Sequence, residues 1–412
     1  MLSAVHKFKA INIIHVTFSF LPVIGGAEIM VHNVAKAQKS QGNEVFVLTS
    51  WNNWRNNKYD LPYKVLPLLP KTISITKYFN QHNINVNWLL GIQLLAYVFI
   101  KKIDVCHLNY AYMEGYAFSR LLKQFKIPTI LTSHGGDIQY DRVLNYGMRL
   151  DQNIDRKIVK SINNYTMLTA VSESIEDEYI KLGVSKDKIE LIPNGCDIAM
   201  FNTDVDVPLI KKKYGIDDKS SIILTIGRNA PTKGFGIIPT VLEKLILLNE
   251  NIVWIVAGKD VETIRNDLAL KTKGHLILIN PSLDDNNLSI NIPSTEIIDL
   301  YRIANVFVFP SKIESFGMVL IEAMASKLPI VTTDAPGCRD VVSNNINGLI
   351  SPVDDLDKMT NNIIALLTNG DQASRIRKNQ SKILSKYSWS NIASQYLDVY
   401  RRAILKSRGS NV

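Results

Sequence analysis

Apolar residues along the chain fall into two alternating patterns. Short, nearly unbroken runs such as INIIHV (11–16), NEVFVLTS (43–50) and PTILTSH (128–134) have strand length. Between them lie longer segments with apolar positions every three to four residues, such as AEIMVHNVAKAQKSQG (27–42), which ends at a glycine. Further runs, DVCHLN (104–109), YTMLTAVS (165–172) and KIELIPNG (188–195), are separated by helix-period segments near 115–126 and 173–182. Strands that are apolar on both faces and alternate with helices predict a parallel sheet covered on both sides.

The rhythm restarts near residue 205. SIILTIGR (221–228), NIVWIVAG (251–258), HLILIN (275–280), NVFVFPS (305–311), PIVTTD (329–334) and GLISP (348–352) read as strands. Helices are expected over 235–249, near 261–272, near 295–304, over about 315–326 and near 354–369. The fold class is therefore α/β, with two tandem Rossmann-like parallel-sheet domains facing a cleft. The expected domains are 1–205 and 206–385, followed by a terminal helix in 386–412. The stretch between the domains, DIAMFNTDVDVPLIKKKYGIDDKS, lacks periodicity and reads as a linker and hinge. Ligands of such sheets bind outside the carboxyl ends of the strands.

Composition narrows the class. The 412 residues carry a net charge of +9, divided evenly between the two halves, with no long basic run. Nucleic-acid binding is not expected. Three scattered cysteines form no disulfide framework, and the first residues lack the pattern of a cleaved signal, so a cytoplasmic location is expected. WLLGIQLLAYVFI (88–100) is too short to span a bilayer and reads as a buried helix. Arg120, Lys123 and Lys126 cluster in SRLLKQFK, a candidate for peripheral contact with anionic lipid.

Five strand–helix junctions carry candidate chemistry. In KIESFGMVLIEAM (312–324), Glu314 precedes a helix start and Glu322 interrupts an otherwise buried run. The backbone amides of Gly317, Met318 and Val319 at that start favour an anion such as phosphate. The acids fit sugar or ribose hydroxyls instead, because a carboxylate accepts two hydroxyl hydrogen bonds at once. Taken singly, an acid there is more simply a helix cap or a solvated residue. In IGRNAPTKGF (226–235), Arg228 and Lys233 suit a diphosphate, though loop cations are commonly just solvated. LPVIGGAE (21–28) places Gly25 and Gly26 before a helix, and LTSHGGDIQ (131–139) places His134 and Asp137 after a strand. LIPNGCD (191–197), with Asn194, is by default a structural turn. No metal site is expected: paired-cysteine spacing and H-E-x-x-H are both missing.

Together GGAE, TSHGGD, IPNGCD, GRNAPTKGF and ESFGMVLIEAMASKLPIV resemble, in order and spacing, the retaining glycosyltransferases of family 4, with the GT-B fold. The most specific element is E-x7-E, Glu314 through Glu322. The resemblance implies a nucleotide-diphosphate sugar as co-substrate, with no other cofactor. Arg228 and Lys233 would hold the diphosphate, and the amides of Gly317 to Leu320 would bind phosphate and sugar. Glu322 would bind the ribose, Glu314 would face the transferred sugar, and His134 would line the sugar pocket. Gly25 and Gly26 would approach the donor phosphates, and the terminal helix would cross back onto the first domain. The implied acceptor is a glycan or lipid-linked sugar of bacterial surface-polysaccharide assembly, a hint taken from DAPGCRD (334–340). A small soluble acceptor and a non-catalytic sugar-nucleotide subunit are the alternatives. Departures from the family pattern are Lys327 at a position that favours glycine and AGKDVETIR in place of a glycine-rich turn.

Overall fold

The structure is a computed structural model. It describes residues 9–82, 86, 88–267, 274–281 and 292–409. The chain runs β1 (Asn12–Val16), α1 (Gly26–Ser40), β2 (Glu44–Thr49), α2 (Trp51–Asn56), β3 (Lys64–Pro67), α3 (Thr72–Gln81) and α4 (Trp88–Ile100). It continues through β4 (Val105–Asn109), α5 (Glu114–Gln124), β5 (Thr129–Thr132), α6 (Gln152–Ser161), β6 (Met167–Ala170), α7 (Glu173–Lys181) and β7 (Ile189–Leu191). The second part holds α8 (Val207–Lys213), β8 (Ser221–Ile226), α9 (Ile238–Leu248), β9 (Ile252–Ala257), β10 (Leu276–Ile279), α10 (Thr295–Ile303) and β11 (Val306–Phe309). Then come α11 (Met318–Ala325), β12 (Ile330–Thr333), α12 (Cys338–Val341), β13 (Leu349–Ser351), α13 (Leu356–Thr368), α14 (Gly370–Ile383) and α15 (Trp389–Ser407).

Two parallel sheets result, ordered β3-β2-β1-β4-β5-β6-β7 and β10-β9-β8-β11-β12-β13. Most strand residues are buried, as fits sheets with helices on both faces. Each order reverses direction once, at β1/β4 and at β8/β11. Loops on either side of such a reversal splay apart and leave a crevice at the strand carboxyl ends. The glycine pair 25–26 follows β1, and Arg228 and Glu314 follow β8 and β11, so the topology brings the sequence motifs to those two crevices.

Three expectations need correction. The linker, read as lacking periodicity, holds a short helix: Asp206 caps α8 by accepting from the Leu209 amide at 3.0 Å, and Phe201 is fully buried. The helix expected near 261–272 is a 3-10 segment, Val261–Asp267, and 268–273 lie outside the described residues. Finally, α4 is buried on one face only. Leu90, Gly91, Leu94 and Val98 pack inward, while Trp88, Ile92, Phe99 and Ile100 are exposed. A side chain at position 91 would put its Cβ 2.3 Å from Leu121 Cδ2, so Gly91 allows α4 to lie close against α5.

Helix α15 leaves the second sheet and packs on α1 in the first domain, in one core with Ile13, Val34 and Tyr396. The turn 192–196 lies under its start, where a Cβ on Gly195 would sit 2.5 Å from the Trp389 ring. A buried polar chain fixes the helix. His15 Nε2 pairs with Gln38 Oε1 at 2.8 Å, and Gln38 Nε2 donates to the Tyr400 hydroxyl at 3.2 Å. That hydroxyl lies 2.6 Å from His107 Nδ1, and His107 Nε2 lies 2.7 Å from Thr132 Oγ1. Burial holds His15 at about 4 and His107 well below the usual imidazole value, so both rings are neutral at pH 7.

Because the folded state resists protonating these rings, their contribution to stability is complete above pH 6.5. It is lost progressively as the pH falls from 6.5 toward about 4. Tyr400→Phe removes the hydroxyl that partners His107 Nδ1 and Gln38 Nε2, while their bonds to Thr132 and His15 remain, and is expected to lower unfolding free energy by about 1–3 kcal/mol. Denaturant midpoints at pH 7 measure this, and an unchanged midpoint would show that the network does not hold α15.

Candidate functional site

The second domain's crevice is built by close approaches of backbone. After β8 the chain turns through Gly234 at φ 68°, where a Cβ would lie 2.0 Å from the Pro310 carbonyl oxygen. After β12, Gly337 at φ 77° lies so close to the next loop that a Cβ would meet the Glu314 carbonyl oxygen at 2.5 Å. Only glycine fits both the backbone angle and the space. The loop 310–317 is thus held from two sides, and the Lys312 amide donates to the Thr232 carbonyl at 2.8 Å. The outcome is an ion pair between Lys233 Nζ and Glu314 Oε2, with both side chains mostly buried. Glu314 Oε1 also accepts from the Ser315 amide at 3.1 Å. Lys233 and Glu314, expected to hold diphosphate and sugar separately, therefore meet each other. The Arg228 guanidinium is exposed at the same rim, and its charge acts on Tyr146.

Gly317 caps α11 in the left-handed region, at φ 81°. The amides of Met318 and Val319 in the first turn have no intrahelical acceptor. The Leu320 amide differs from expectation, since it donates to the Gly317 carbonyl at 2.9 Å and is not free for a ligand. Glu322 lies in the second turn, where Oε2 is 2.9 Å from the Tyr301 hydroxyl. Burial raises its carboxyl to about 7, with the Tyr301 hydrogen bond pulling the other way. Lys327, just past the helix, takes φ 59°, the strain expected of a non-glycine residue there.

The first domain supplies the facing wall. Gly25 caps α1 and Gly26 opens it, and a Cβ on Gly26 would stand 3.8 Å from Met318 Sδ. The two helix starts thus face each other. His134 follows β5. Its Nε2 lies 3.1 Å from Asn109 Oδ1, while Asn109 Nδ2 donates to the Val16 carbonyl at 3.4 Å. That second bond orients the amide, so Nε2 of His134 carries the proton and Nδ1 is left as an acceptor. Burial pushes the imidazole down to about 3, so it works as a neutral hydrogen-bonding group.

Asp137 is placed differently from a ligand contact. It is buried and accepts from the amides of Ala111 at 2.7 Å, His134 at 3.0 Å and Gly135 at 3.1 Å. Burial still raises its carboxyl to about 6 against those bonds. Its role is to set the turn that carries His134. Asn194 is buried in the turn beside Trp389, and its Oδ1 has no hydrogen-bond partner among the described residues.

Sequence reasoning missed the residues that join the domains. Gln139 Nε2 donates to the Glu314 carbonyl at 3.2 Å, and Ser172 Oγ donates to the Ser315 carbonyl at 2.6 Å. The Ser174 amide donates to Asp340 at 3.1 Å. Tyr146 stands over the Gly135–Gly136 turn, its phenol pushed up by burial and by the charge of Glu314. Gln139 closes the LTSHGGDIQ stretch, Tyr146 lies farther along the same loop, and Ser172 and Ser174 sit at the start of α7, but no local pattern shows that they meet the second domain. The linker contains a D-x-D tripeptide, Asp204-Val205-Asp206, with both acids exposed.

Comparison with known proteins agrees with this architecture. Residues 24–200 match the model described as Glycosyltransferase Family 4, and residues 206–383 match Glycosyl transferases group 1. An uncharacterized glycosyltransferase of Methanocaldococcus jannaschii is 24% identical, with 94% of this chain and 97% of that protein covered. N-acetyl-alpha-D-glucosaminyl L-malate synthase of Bacillus anthracis is 21% identical over 92% of this chain and 94% of the relative. Among solved structures, Anabaena HepE in complex with UDP superposes with a TM-score of 0.73 at 17% identity, covering 95% of this chain and 100% of that one. Sucrose-phosphate synthase from Thermosynechococcus elongatus gives 0.74 at 20% identity, covering 96% and 99%. With both halves matched and the two-sheet fold shared, the chain belongs to the family 4 glycosyltransferases of GT-B fold.

Proposed function

We propose that the protein transfers a sugar, with retention of anomeric configuration, from a nucleotide-diphosphate donor to a hydroxyl of a membrane-linked glycan acceptor. The observation that carries the donor half is the Lys233–Glu314 pair set beside the α11 start and Arg228. Cations and amide dipoles converge there, as a departing diphosphate requires. Arg228, Lys233 and the amides of Gly317, Met318 and Val319 hold the phosphates, with Gly25 and Gly26 closing on them. Glu314 faces the sugar, and His134 offers Nδ1 to a sugar hydroxyl. Glu322 takes the ribose hydroxyls. The bond from sugar C1 to the phosphate oxygen breaks, and its electron pair stays on the diphosphate. The acceptor oxygen bonds to C1 on the same face, and its proton leaves with the diphosphate. A solved fold neighbour holding UDP supports a nucleoside diphosphate as the leaving group.

The membrane half rests on the exposed face of α4. Trp88, Ile92 and Phe99 lie within about 40° of one another around the helix, all outward. Phe99 meets Phe125, just past α5, at 6.3 Å between ring centroids. From residue 61 to 103 the sequence has no acid but includes Lys64, Lys71, Lys77, Lys101 and Lys102. Residues 115–136 likewise have none, and include Arg120, Lys123 and Lys126. A cationic, aromatic face without acids suits an anionic bilayer surface. Among the described residues no helix is long and apolar enough to cross a membrane.

Three outcomes are expected. Nucleoside-diphosphate affinity, measured by calorimetry, should rise relative to Glu322→Gln as the pH passes through about 7, because ribose hydroxyls donate to the ionised carboxylate. The nucleotide's own ionisation is common to both proteins and cancels in that ratio. A raised carboxyl makes ionisation unfavourable to folding between pH 4.5 and about 7, so Glu322→Gln should also be more stable at pH 8. A flat ratio would remove Glu322 from the donor site. For the membrane half, changing Arg120, Lys123 and Lys126 together to Glu should weaken binding to vesicles containing anionic lipid at least about tenfold. Equal binding would dismiss that face.

A further inference from the structure

Beside the donor loops, the first domain opens a cavity of about 870 Å³. Its wall includes Phe18 after β1, Tyr110 and Tyr112 after β4, and Lys157 on α6. Ile73 on α3, next to the cationic face, lines the same space. Two loop residues here, Tyr110 at φ 82° and Met113 at φ 63°, hold left-handed angles without being glycine. Such strain persists where the surroundings fix it, most often at ligand sites. Tyr110 also packs its ring edge-on against His134, with centroids 5.1 Å apart, so the cavity adjoins the place where the sugar is expected.

Three carboxylates line this cavity, Glu28, Glu114 and Asp151, against one cation, Lys157. Asp151 accepts from the amides of Asn153 at 2.7 Å and Ile154 at 3.3 Å, capping α6. Glu114 accepts from the Phe18 amide at 2.5 Å. Glu28 is different. It is 7% exposed, yet its carboxylate has no hydrogen bond or ion pair among the described residues. Its place, three residues after the Gly25 cap, is where a glutamate commonly reaches back to the cap amide. Oε2 comes that way, to 2.6 Å from where a Cβ of Gly25 would be, but no hydrogen bond forms. Its oxygens open onto the cavity, so hydroxyls of a molecule that enters can take the place of water as their partners.

We propose that this cavity takes the acceptor and that Glu28 selects it. The Glu28 carboxylate accepts hydrogen bonds from hydroxyls of an uncharged sugar ring, while the tyrosine rings cover the ring's apolar face. The three acids oppose any acceptor presenting phosphate or carboxylate at this point. The inference rests on the transferase reading, and it adds the acceptor's chemical class and the residue that enforces it.

The test uses the full chain and ligand-observed NMR, with methyl glycosides and hexose 6-phosphates as probes and no nucleotide present. Wild type should bind neutral glycosides in preference to the phosphates. Glu28→Gln should weaken the neutral glycosides and strengthen the phosphates, shifting their ratio about tenfold. Tyr112→Ala, which removes a ring and no charge, should weaken both alike. Opposite shifts from one neutral substitution do not arise from a merely structural role. Phosphates binding wild type at least as well as neutral sugars would overturn the proposal. So would an unchanged ratio in Glu28→Gln, or no binding of any glycoside at tens of millimolar. Calorimetry of nucleoside diphosphates on the same samples separates the two readings. Loss of nucleotide binding in Glu28→Gln would move Glu28 to the donor site and overturn the proposal. Nucleotide binding missing from wild type would sink the transferase reading, whatever the glycosides do.

Discussion

The contact between Lys233 and Glu314 is the constraint around which the second domain's crevice is arranged. Neither side chain reaches the other unless the loops after β8, β11 and β12 nest closely. Gly234 and Gly337 allow that nesting at 2.0 Å and 2.5 Å of where a side chain would intrude. Removing one partner of a mostly buried pair leaves the other charge uncompensated. The pair therefore fixes loop geometry before any ligand arrives. It also means that Lys233 is not an idle cation. In the proposed function, a diphosphate held by Lys233 would draw the ammonium partly away from Glu314 and free carboxylate oxygen for sugar hydroxyls.

The same loop carries the link between domains. Gln139 and Ser172 donate to the carbonyls of Glu314 and Ser315, so the first domain touches the backbone of the residues that would meet the sugar. Gly135 approaches Ser315 so closely that a Cβ would lie 3.0 Å from its Cβ. Meanwhile α15 ties the far side together through Tyr400, His107 and Gln38. The cleft is thus bounded by polar contacts at its mouth and a buried network at its back.

Both sheets were legible in the sequence because parallel strands leave long apolar runs. The motif residues were legible because glycine, proline and charged residues interrupt those runs at strand ends. Other features were not. The run 88–100 is apolar all round, so periodicity could not reveal that only one of its faces is buried. Helix α8 was hidden in a polar stretch whose Asp206 cap and Pro208 at the helix start were the available signal. Asp137 looked like a ligand contact, and only its three amide donors reveal a turn-setting role. Glu28 stood in a motif read for its glycines, and its lack of partners is visible only in three dimensions. Gln139 and Tyr146, from the connection after β5, and Ser172, at the start of α7, are far in sequence from Glu314 and Ser315, and nothing local marks their convergence.

The most direct measurement of the central claim is calorimetry of a nucleoside-diphosphate panel on wild type and on Lys233→Met, with folding checked by thermal unfolding. The expected result is selective binding of one nucleotide by wild type and at least about a tenfold loss in the folded variant, equivalent to about 1.4 kcal/mol. Equal affinity in the two proteins, or no binding to folded wild type, would contradict the assignment of this crevice to a sugar-nucleotide donor.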